Sequence, residues 1–149
     1  MISYFTDGSA SPNPGPGGFA VIKDGRPWLV GGEQMTTNIR MEGLALMAAL
    51  IDAGNEKCEI TTDSEFWINV LTKWAPIWAN NSWTKKGGIK NLDIVQPLFE
   101  KYKQSYAKLT WTRGHVGDEL NELADEWANK ARQLRLRDVV KVDTIDSTS

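Results

Sequence analysis

The sequence predicts an α/β fold (α+β mixed) in which helices flank a five-stranded mixed sheet. Three runs of β-branched and aromatic residues, separated by turn residues, occupy the first third of the chain and are typical of antiparallel strands. Beyond them, helical spacing of apolar residues alternates with two short strand-like runs, which favours parallel strands joined by helices. The predicted order is therefore β-β-β-α-β-α-α-β-α, with three antiparallel strands followed by parallel strands.

The first third of the chain contains the antiparallel strands. The run ISYFT at 2–6 predicts the first strand. The sequence SPNPGPGG at 11–18 predicts a loop, because proline and glycine disfavour regular structure. Residues 19–32 contain two strand-like runs joined by Asp24 and Gly25, a dipeptide that is favoured in hairpin turns.

The middle of the chain predicts a helix, a strand and a second helical segment. Apolar residues at helical spacing begin after Asn38, and Gly54 is a typical residue at a helix C-terminus. The run CEITT at 58–62 predicts the fourth strand. A helix capped by Ser64 follows, and Pro76 either ends it or begins another short helix.

The last third predicts two helices around one strand. Apolar residues at helical spacing indicate a helix over 92–102, and KLTWT at 108–112 predicts the fifth strand. A glycine-flanked loop then leads to a final helix capped by Asp118. The length suits one core, so we expect a single domain over 1–134 and a flexible or loosely docked tail over 135–149. An additional edge strand in the tail sequence DVVKVD is the less favoured alternative.

Composition narrows the class of protein. The formal net charge is −2 and the sequence pI about 5.4, so the chain lacks the overall positive charge that supplies most non-specific affinity for nucleic acid. A polyanion would have to be held by a local basic patch or through metal ions. Cys58 is the only cysteine, which suits a reducing compartment, and no apolar run approaches the roughly 18 residues of a membrane span. We expect a cytoplasmic monomer with no membrane partner.

Four acidic residues occupy positions at which exposure to solvent is not guaranteed. Asp7 and Asp63 each follow a predicted strand, and adjacent parallel strands would bring these ends to one edge of the sheet. Glu42 lies in the first turn of its helix, on an otherwise apolar inner row, and Asp125 lies in the last helix. Converging carboxylates need a cation. Mg²⁺ or Mn²⁺ accepts such oxygen ligands, and two of these ions can promote hydrolysis of a phosphodiester.

Each of these residues also has a simpler explanation. Asp7 and Asp63 could form a turn or precede a helix cap. Glu42 could interact with the helix dipole, and Asp125 could face solvent. His115, the only histidine, lies in a loop, where histidine is more often incidental than catalytic. Taken singly, the residues leave both explanations open.

The acidic residues lie in four motifs whose combination is specific. The motifs are YFTDGSASPNPGPGGF at 4–19, TTNIRMEGLALMAAL at 36–50, ITTDSEFW at 60–67 and WTRGHVGDELNELADEWANKA at 111–131. In order and spacing, residues 1–133 resemble type 1 ribonuclease H, the ribonuclease HI family. The resemblance implies a ribonuclease H-like fold. It also implies sequence-independent hydrolysis of the RNA strand of an RNA–DNA hybrid, leaving 3′-hydroxyl and 5′-phosphate ends.

The resemblance also implies roles for individual residues. Four match the catalytic carboxylates that bind two Mg²⁺ or Mn²⁺ ions in this family: Asp7, which would bridge both ions, Glu42, Asp63 and Asp125. His115 matches a mobile histidine thought to help proton transfer or product release. Seven residues are implied as substrate contacts, either by matching a family position or by lying in a family binding segment: Asn13, Thr37, Asn38, Lys85, Lys86, Lys90 and Asn121.

The sequence departs from the family pattern at three places. Ile39 stands where bacterial members often have asparagine, and Glu65 stands where they commonly have glutamine. Residues 75–90 match the family's basic handle but carry few lysines. These departures predict weaker hybrid binding and a steep dependence on salt, because fewer cations face the phosphates.

Three other functions remain open on the sequence. A non-catalytic hybrid-binding module would keep the fold, although it would not need all four acids. A kinase-like nucleotide-binding domain opens with a similar TDGS turn, although it would need a second domain to close over ATP. An integrase-like strand transferase would need further DNA-binding domains.

Overall fold

The structure is a computed structural model that describes residues 1–114 and 118–145, and its centre is a mixed sheet. The strands within these residues are β1 (Ile2–Ala10), β2 (Gly15–Lys23), β3 (Arg26–Thr36), β4 (Lys57–Thr62), β5 (Tyr106–Trp111) and β6 (Val140–Lys141). They lie in the order β5-β4-β1-β2-β3-β6. Pairing is antiparallel from β1 through β2 and β3 to β6, and parallel from β1 through β4 to β5.

Helices cover the sheet. Those in the described residues are α1 (Asn38–Ala53), α2 (Glu65–Asn69), α3 (Ala75–Asn80), α4 (Leu92–Gln104) and α5 (Glu119–Gln133). A π-helical turn at Val70–Trp74 joins α2 to α3, and Pro76 lies in the first turn of α3, so it begins a helix. Ser64 and Asp118 accept hydrogen bonds from backbone N–H groups as helix caps, as predicted. None of these helices has the length and apolarity to cross a membrane.

Within the part of the chain that the structure describes, the sheet has six strands, so the predicted number of five was wrong. The sixth strand is the short β6, which pairs with Leu29 and Val30 at the free edge of β3. Side chains of the same segment, Leu136 and Val142 among them, pack against a small core cluster beneath α5. This strand lies within DVVKVD, so the less favoured alternative of an added edge strand is the one that the structure has. A run of two residues is a weak local signal, and the pairing depends on this tertiary packing.

The first two strands are longer than predicted, which changes the position of Asp7. The antiparallel ladder with β2 continues to Ala10, so Asp7 lies within β1 and not at its end. The parallel ladder with β4 does stop at Thr6, which pairs with Thr62. Asp7 therefore follows the end of the parallel pairing, and the predicted loop over 11–18 is shortened because β2 already begins at Gly15.

Two apolar clusters lie on opposite faces of the sheet. Along β2, Phe19 and Val21 belong to the large cluster with α1, whereas Ala20 belongs to the small cluster with Ala128 of α5. This alternation follows from the period of two in a β-strand. The large cluster also buries Trp67 completely. The sheet thus holds α1 and α5 on either side of β1, where each helix can present an acid to the same edge.

We expect the segment after α5 to stabilise the domain. A chain that ends at Leu134 would lack β6 and expose the small cluster, so its melting temperature should fall by about 5 °C or more. Val140→Ser should lower the melting temperature, because Val140 packs on this cluster, whereas Val139→Ser is the matched exposed control. Thermal unfolding followed by circular dichroism measures both, and an unchanged melting temperature in the shortened chain would contradict the expected stabilisation.

Candidate active site

Three acidic side chains converge at one edge of the sheet. Asp7 comes from β1, Glu42 from α1 and Asp63 from the residue directly after β4. One carboxylate oxygen from each lies within 4.8 Å of the others. We call these residues the acidic triplet. Asp7 is only 6% exposed, and the other two are half-buried.

Parallel pairing brings Asp7 and Asp63 together. Thr6 of β1 pairs with Thr62 of β4, so the next residue of each strand points to the same edge. The Gly8 N–H donates to Asp7 Oδ1 at 2.9 Å and fixes the orientation of that carboxylate. This is the juxtaposition of strand ends that the sequence predicted, although β1 itself runs further.

Glu42 reaches the triplet because α1 lies very close to β1. A Cβ on Gly8 would stand 2.4 Å from the backbone nitrogen of Glu42 and 2.4 Å from the carbonyl carbon of Met41. No side chain larger than hydrogen fits there. The prediction that Glu42 lies in the first turn of α1 was wrong. The helix begins at Asn38 after the Thr37 cap, so Glu42 lies in the second turn.

The N-terminus of α2 holds Glu42 from the other side. The Ser64 side chain accepts a hydrogen bond from Trp67 N at 3.2 Å and is also hydrogen-bonded to the Glu42 carboxylate. Trp67 is fully buried, and its indole Nε1 donates to the Ile39 carbonyl at 2.7 Å. A Cβ on Gly43 would lie 2.5 Å from the Trp67 ring. The packing of α1 on α2 therefore fixes the position of Glu42.

The surroundings oppose the charged form of the triplet. Burial, and then the charge of Asp63, raises the pKa of Asp7 to about 9, although the Gly8 N–H acts in the opposite direction. Burial also raises the pKa of Glu42 to about 7, although the hydrogen bond with Ser64 acts in the opposite direction, and the charge of Asp63 adds to the rise. The pKa of Asp63 is raised by burial and by the charge of Asp125. A bound cation would relieve both the burial of charge and the repulsion.

The residues present fit a hard divalent metal ion. All three side chains of the triplet offer carboxylate oxygens, the ligands that Mg²⁺ and Mn²⁺ prefer. In addition, Asp63 Oδ1 is buried and has no hydrogen-bond partner among the described residues. Such an oxygen is costly unless something binds it. The triplet therefore has the composition and the unmet acceptor of a metal site.

Asp125 lies beside the triplet but is not part of it. It is exposed on α5, and its charge contributes to the raised pKa values of Asp7 and Asp63. Its Oδ2 accepts a hydrogen bond from Asn129 Nδ2 at 3.4 Å. The structure thus brings all four predicted acids to one region, with three tightly clustered and the fourth at the rim.

Asn121 also lies at this edge. It is buried, and a Cβ on Gly114 would come within 3.1 Å of its Nδ2 and 3.3 Å of Asp63 Oδ2. Gly114 has a φ of +69°, which favours glycine, so the chain can pass close to both groups. The predicted catalytic His115 lies outside the described residues.

A second group of predicted residues lines a shallow pocket. Asn13, Thr37 and Lys90 line it together with Ile39 and Asn91. Asn38 connects the pocket to β1, because its Oδ1 accepts from Ala10 N at 2.6 Å, and its own N–H donates to Asn13 Oδ1 at 3.2 Å.

The remaining predicted contacts, Lys85 and Lys86, lie in an exposed segment after α3. Lys85 Nζ stands 5.6 Å from the ring centroid of Trp78 and lines an apolar groove formed by α2 and α3. These lysines do not line the pocket that holds Lys90.

Sequence reasoning missed three residues that organise the site. Gly8 was quoted within a motif, but its close approach to α1 has no local signal. Ser64 was identified only as a helix cap, although it also contacts Glu42. Asn129 lies one helical turn after Asp125, and this spacing is the signal that predicts their contact.

Comparisons with known proteins identify the family of the chain. The family model described as RNase H matches residues 1–133. A ribonuclease H of Gluconobacter oxydans is 37% identical over 139 residues, which span 89% of this chain and 92% of the relative. A ribonuclease H of Pseudomonas paraeruginosa is 40% identical over 137 residues, which span 87% of this chain and 92% of the relative.

Solved structures share the fold. LC9-RNase H1, a type 1 RNase H with the type 2 active-site motif, has a TM-score of 0.81 at 25% identity, covering 94% of this chain and 76% of its own. A foamy viral protease-reverse transcriptase in complex with an RNA/DNA hybrid has a TM-score of 0.73 at 17% identity, covering 89% of this chain and 20% of its own. The profile match and the identities to named relatives establish the kinship: the chain belongs to the ribonuclease H family.

Proposed function

We propose that this protein is an endoribonuclease that hydrolyses the RNA strand of RNA–DNA hybrids, independently of sequence, and leaves 3′-hydroxyl and 5′-phosphate ends. The observation that carries the proposal is the acidic triplet, in which one carboxylate oxygen from each residue lies within 4.8 Å of the others. Asp63 Oδ1 is buried and has no hydrogen-bond partner among residues 1–114 and 118–145. All of these acids come from one chain, so we propose that the monomer is the functional unit.

Two Mg²⁺ or Mn²⁺ ions would supply an activated water and would stabilise the charge on the leaving oxygen. On the resemblance to the family, Asp7 would contact both ions, and the charges of Asp63 and Asp125 both act on its carboxylate. Glu42 and Asp63 would complete the binding of one ion, and Asp125 would contribute to the other from the rim. The hydrogen bond from Gly8 N would keep Asp7 oriented during the reaction.

Two further side chains, those of His115 and Asn121, would act beside the acids. On the resemblance to the family, His115 would help proton transfer or the release of product. Asn121 is buried, and its amide lies on the same side of Gly114 as the Asp63 carboxylate. From this position the amide would orient the ribose or a phosphate of the scissile strand.

The pocket lined by Asn13, Thr37 and Lys90 would hold the hybrid. The amide oxygens of Asn13 and Asn38 are used inside the protein, and their Nδ2 groups have no partner among the described residues. Amide donors fixed in this way suit 2′-hydroxyl and base-edge acceptors in the shallow minor groove. Thr37 and Lys90 would hold a backbone phosphate. This pocket would therefore provide recognition without reading base sequence.

The first test is cleavage of a labelled hybrid in Mg²⁺ or Mn²⁺. Asp7→Asn should lower the rate by about a thousandfold or more, because one substitution disables groups that act as a unit. Glu56→Gln, an exposed acid in the turn before β4, is the matched control and should cleave normally. Retained cleavage in Asp7→Asn would contradict the metal assignment. Binding without cleavage by the unaltered chain would favour the binding-module alternative.

The second test is the pH dependence of stability in chelator. The folded pKa values of Asp7 and Glu42 lie above their ordinary values, so protonation favours the folded state. This contribution is complete below about pH 4 and is lost as pH rises through about 7 and about 9. The melting temperature without metal should fall over this range, and saturating Mg²⁺ should abolish the fall.

A substitution separates this effect from general charge. Asp63→Asn should raise the melting temperature in chelator at alkaline pH, because it removes one charge from the triplet, and should do so less at acidic pH. Asp138→Asn, at an exposed position, is the control and should change little. A lower melting temperature for Asp63→Asn would mean that Asp63 has a stabilising partner in the folded chain.

The third test concerns the pocket. Lys90→Ala should raise KM for the hybrid by about threefold with little change in kcat. It should also reduce the slope of log KM against log salt concentration by about 0.9, the contribution of one phosphate contact. Lys57→Ala, at the opposite end of β4 from Asp63, is the matched lysine control. An equal effect of both substitutions would show that Lys90 acts only through net charge.

A further inference from the structure

We propose that Asn129 is a positioning residue that fixes the carboxylate of Asp125 beside the acidic triplet. The inference rests on the proposed function, since it concerns how the fourth acid is held for metal binding. It is independent of the resemblance, which assigns no role to Asn129. Three hydrogen bonds of one side-chain amide carry it.

The orientation of the Asn129 amide is determined by its neighbours. Its Oδ1 accepts from Ser9 Oγ at 3.1 Å and from Arg132 Nη2 at 3.4 Å. A guanidinium has only donors, so the side of the amide that faces Arg132 must be the carbonyl oxygen. The amide NH₂ is then the group that faces Asp125, and it donates to Asp125 Oδ2 at 3.4 Å.

Asp125 needs such a donor because of where it stands. It is exposed on α5, outside the 4.8 Å grouping of the triplet, and the negative charges of Asp7 and Asp63 repel it. The side chains of Asp125 and Asp7 are close enough to hydrogen-bond when one is protonated, so repulsion between the two ionised groups would turn the Asp125 carboxylate toward solvent. A hydrogen bond from one turn further along the helix opposes that rotation and keeps an oxygen at the rim of the site.

The hydrogen bond between Ser9 and Asn129 also fixes the position of α5 relative to the strand that carries Asp7. Ser9 lies two residues after Asp7 on β1, so one strand holds both the first acid and the anchor of the fourth. On the neighbouring strand, a Cβ on Gly18 would lie 2.3 Å from Arg132 N and 2.5 Å from the Ala128 carbonyl oxygen. The backbone of α5 on both sides of Asn129 is therefore pressed against the sheet.

The chemistry expected of this arrangement is that of an outer residue that orients a metal ligand. Loss of such residues lowers metal affinity or activity by about 10- to 100-fold. We expect the lower end of that range, because Asp125 is exposed and the triplet holds its oxygens together without it.

The test measures metal binding without substrate. Titration calorimetry with Mn²⁺ should show that Asn129→Ala weakens binding by about tenfold. The rise in melting temperature caused by Mn²⁺ should shrink in parallel. Ser9→Ala should weaken binding in the same direction by a smaller factor, and Ser9→Thr, which keeps the hydroxyl, should restore it. Asn55→Ala, at an exposed turn distant from the site, is the matched control.

A double-mutant cycle distinguishes positioning from a general structural role. In an Asp125→Asn background, Asn129→Ala should have no further effect on Mn²⁺ affinity, because its action passes through the Asp125 carboxylate. In hybrid cleavage, Asn129→Ala should shift the metal dependence of kcat to higher Mn²⁺ and leave KM for the hybrid unchanged.

The outcomes separate the two proposals. Unchanged Mn²⁺ affinity in Asn129→Ala, or an undiminished effect in the Asp125→Asn background, would overturn the role of Asn129. If the unaltered chain bound Mn²⁺ but cleaved no hybrid, the proposed function would fail, and the calorimetric cycle would still decide whether Asn129 positions Asp125.

Discussion

Electrostatic repulsion among acids gathered at the end of the β1–β4 parallel pairing is the constraint on which the rest of the structure depends. Asp7 is almost fully buried beside Glu42 and Asp63, so burial and like charge both oppose ionisation. The fold holds these groups together through backbone contacts that do not depend on their charge. Gly8 allows α1 to touch β1, and Gly18 allows α5 to touch β2, where any side chain would meet helix backbone.

The acidic cluster was predictable because it follows from regular periodicity. Strand-like runs precede Asp7 and Asp63, and helical spacing places Glu42 on a buried row of α1. The features that escaped prediction depend on contacts between elements far apart in the chain. Ser64 is locally a helix cap, and its hydrogen bond to Glu42 exists because α1 packs on α2. The edge strand in DVVKVD was the less favoured alternative for a similar reason, because β6 forms where β3 presents a free edge above a cluster that needs cover.

Contacts between distant elements also bear on how a chain with negative net charge can belong to a family that acts on nucleic acid. General attraction to phosphates is weak at a formal charge of −2. Under the proposed function, recognition would depend on directed donors such as the amides of Asn13 and Asn38, whose oxygens are fixed by internal hydrogen bonds. Lys85, stacked on Trp78, lies on a different surface from Lys90, so cations are placed locally. Fixed donors lose little conformational entropy on binding, which partly offsets the missing charge.

The unequal burial of the four acids has a chemical consequence. The triplet is held by two packed helices and a sheet, so its oxygens converge through the fold itself. Asp125 is exposed, and we propose that the Asn129 amide orients its carboxylate. A site built in this way has one rigid side and one adjustable side. Under the proposed function, the adjustable side would admit metal ions and the hybrid. The Asn129 amide, which Ser9 holds to the strand that carries Asp7, would then return the Asp125 carboxylate to the same position.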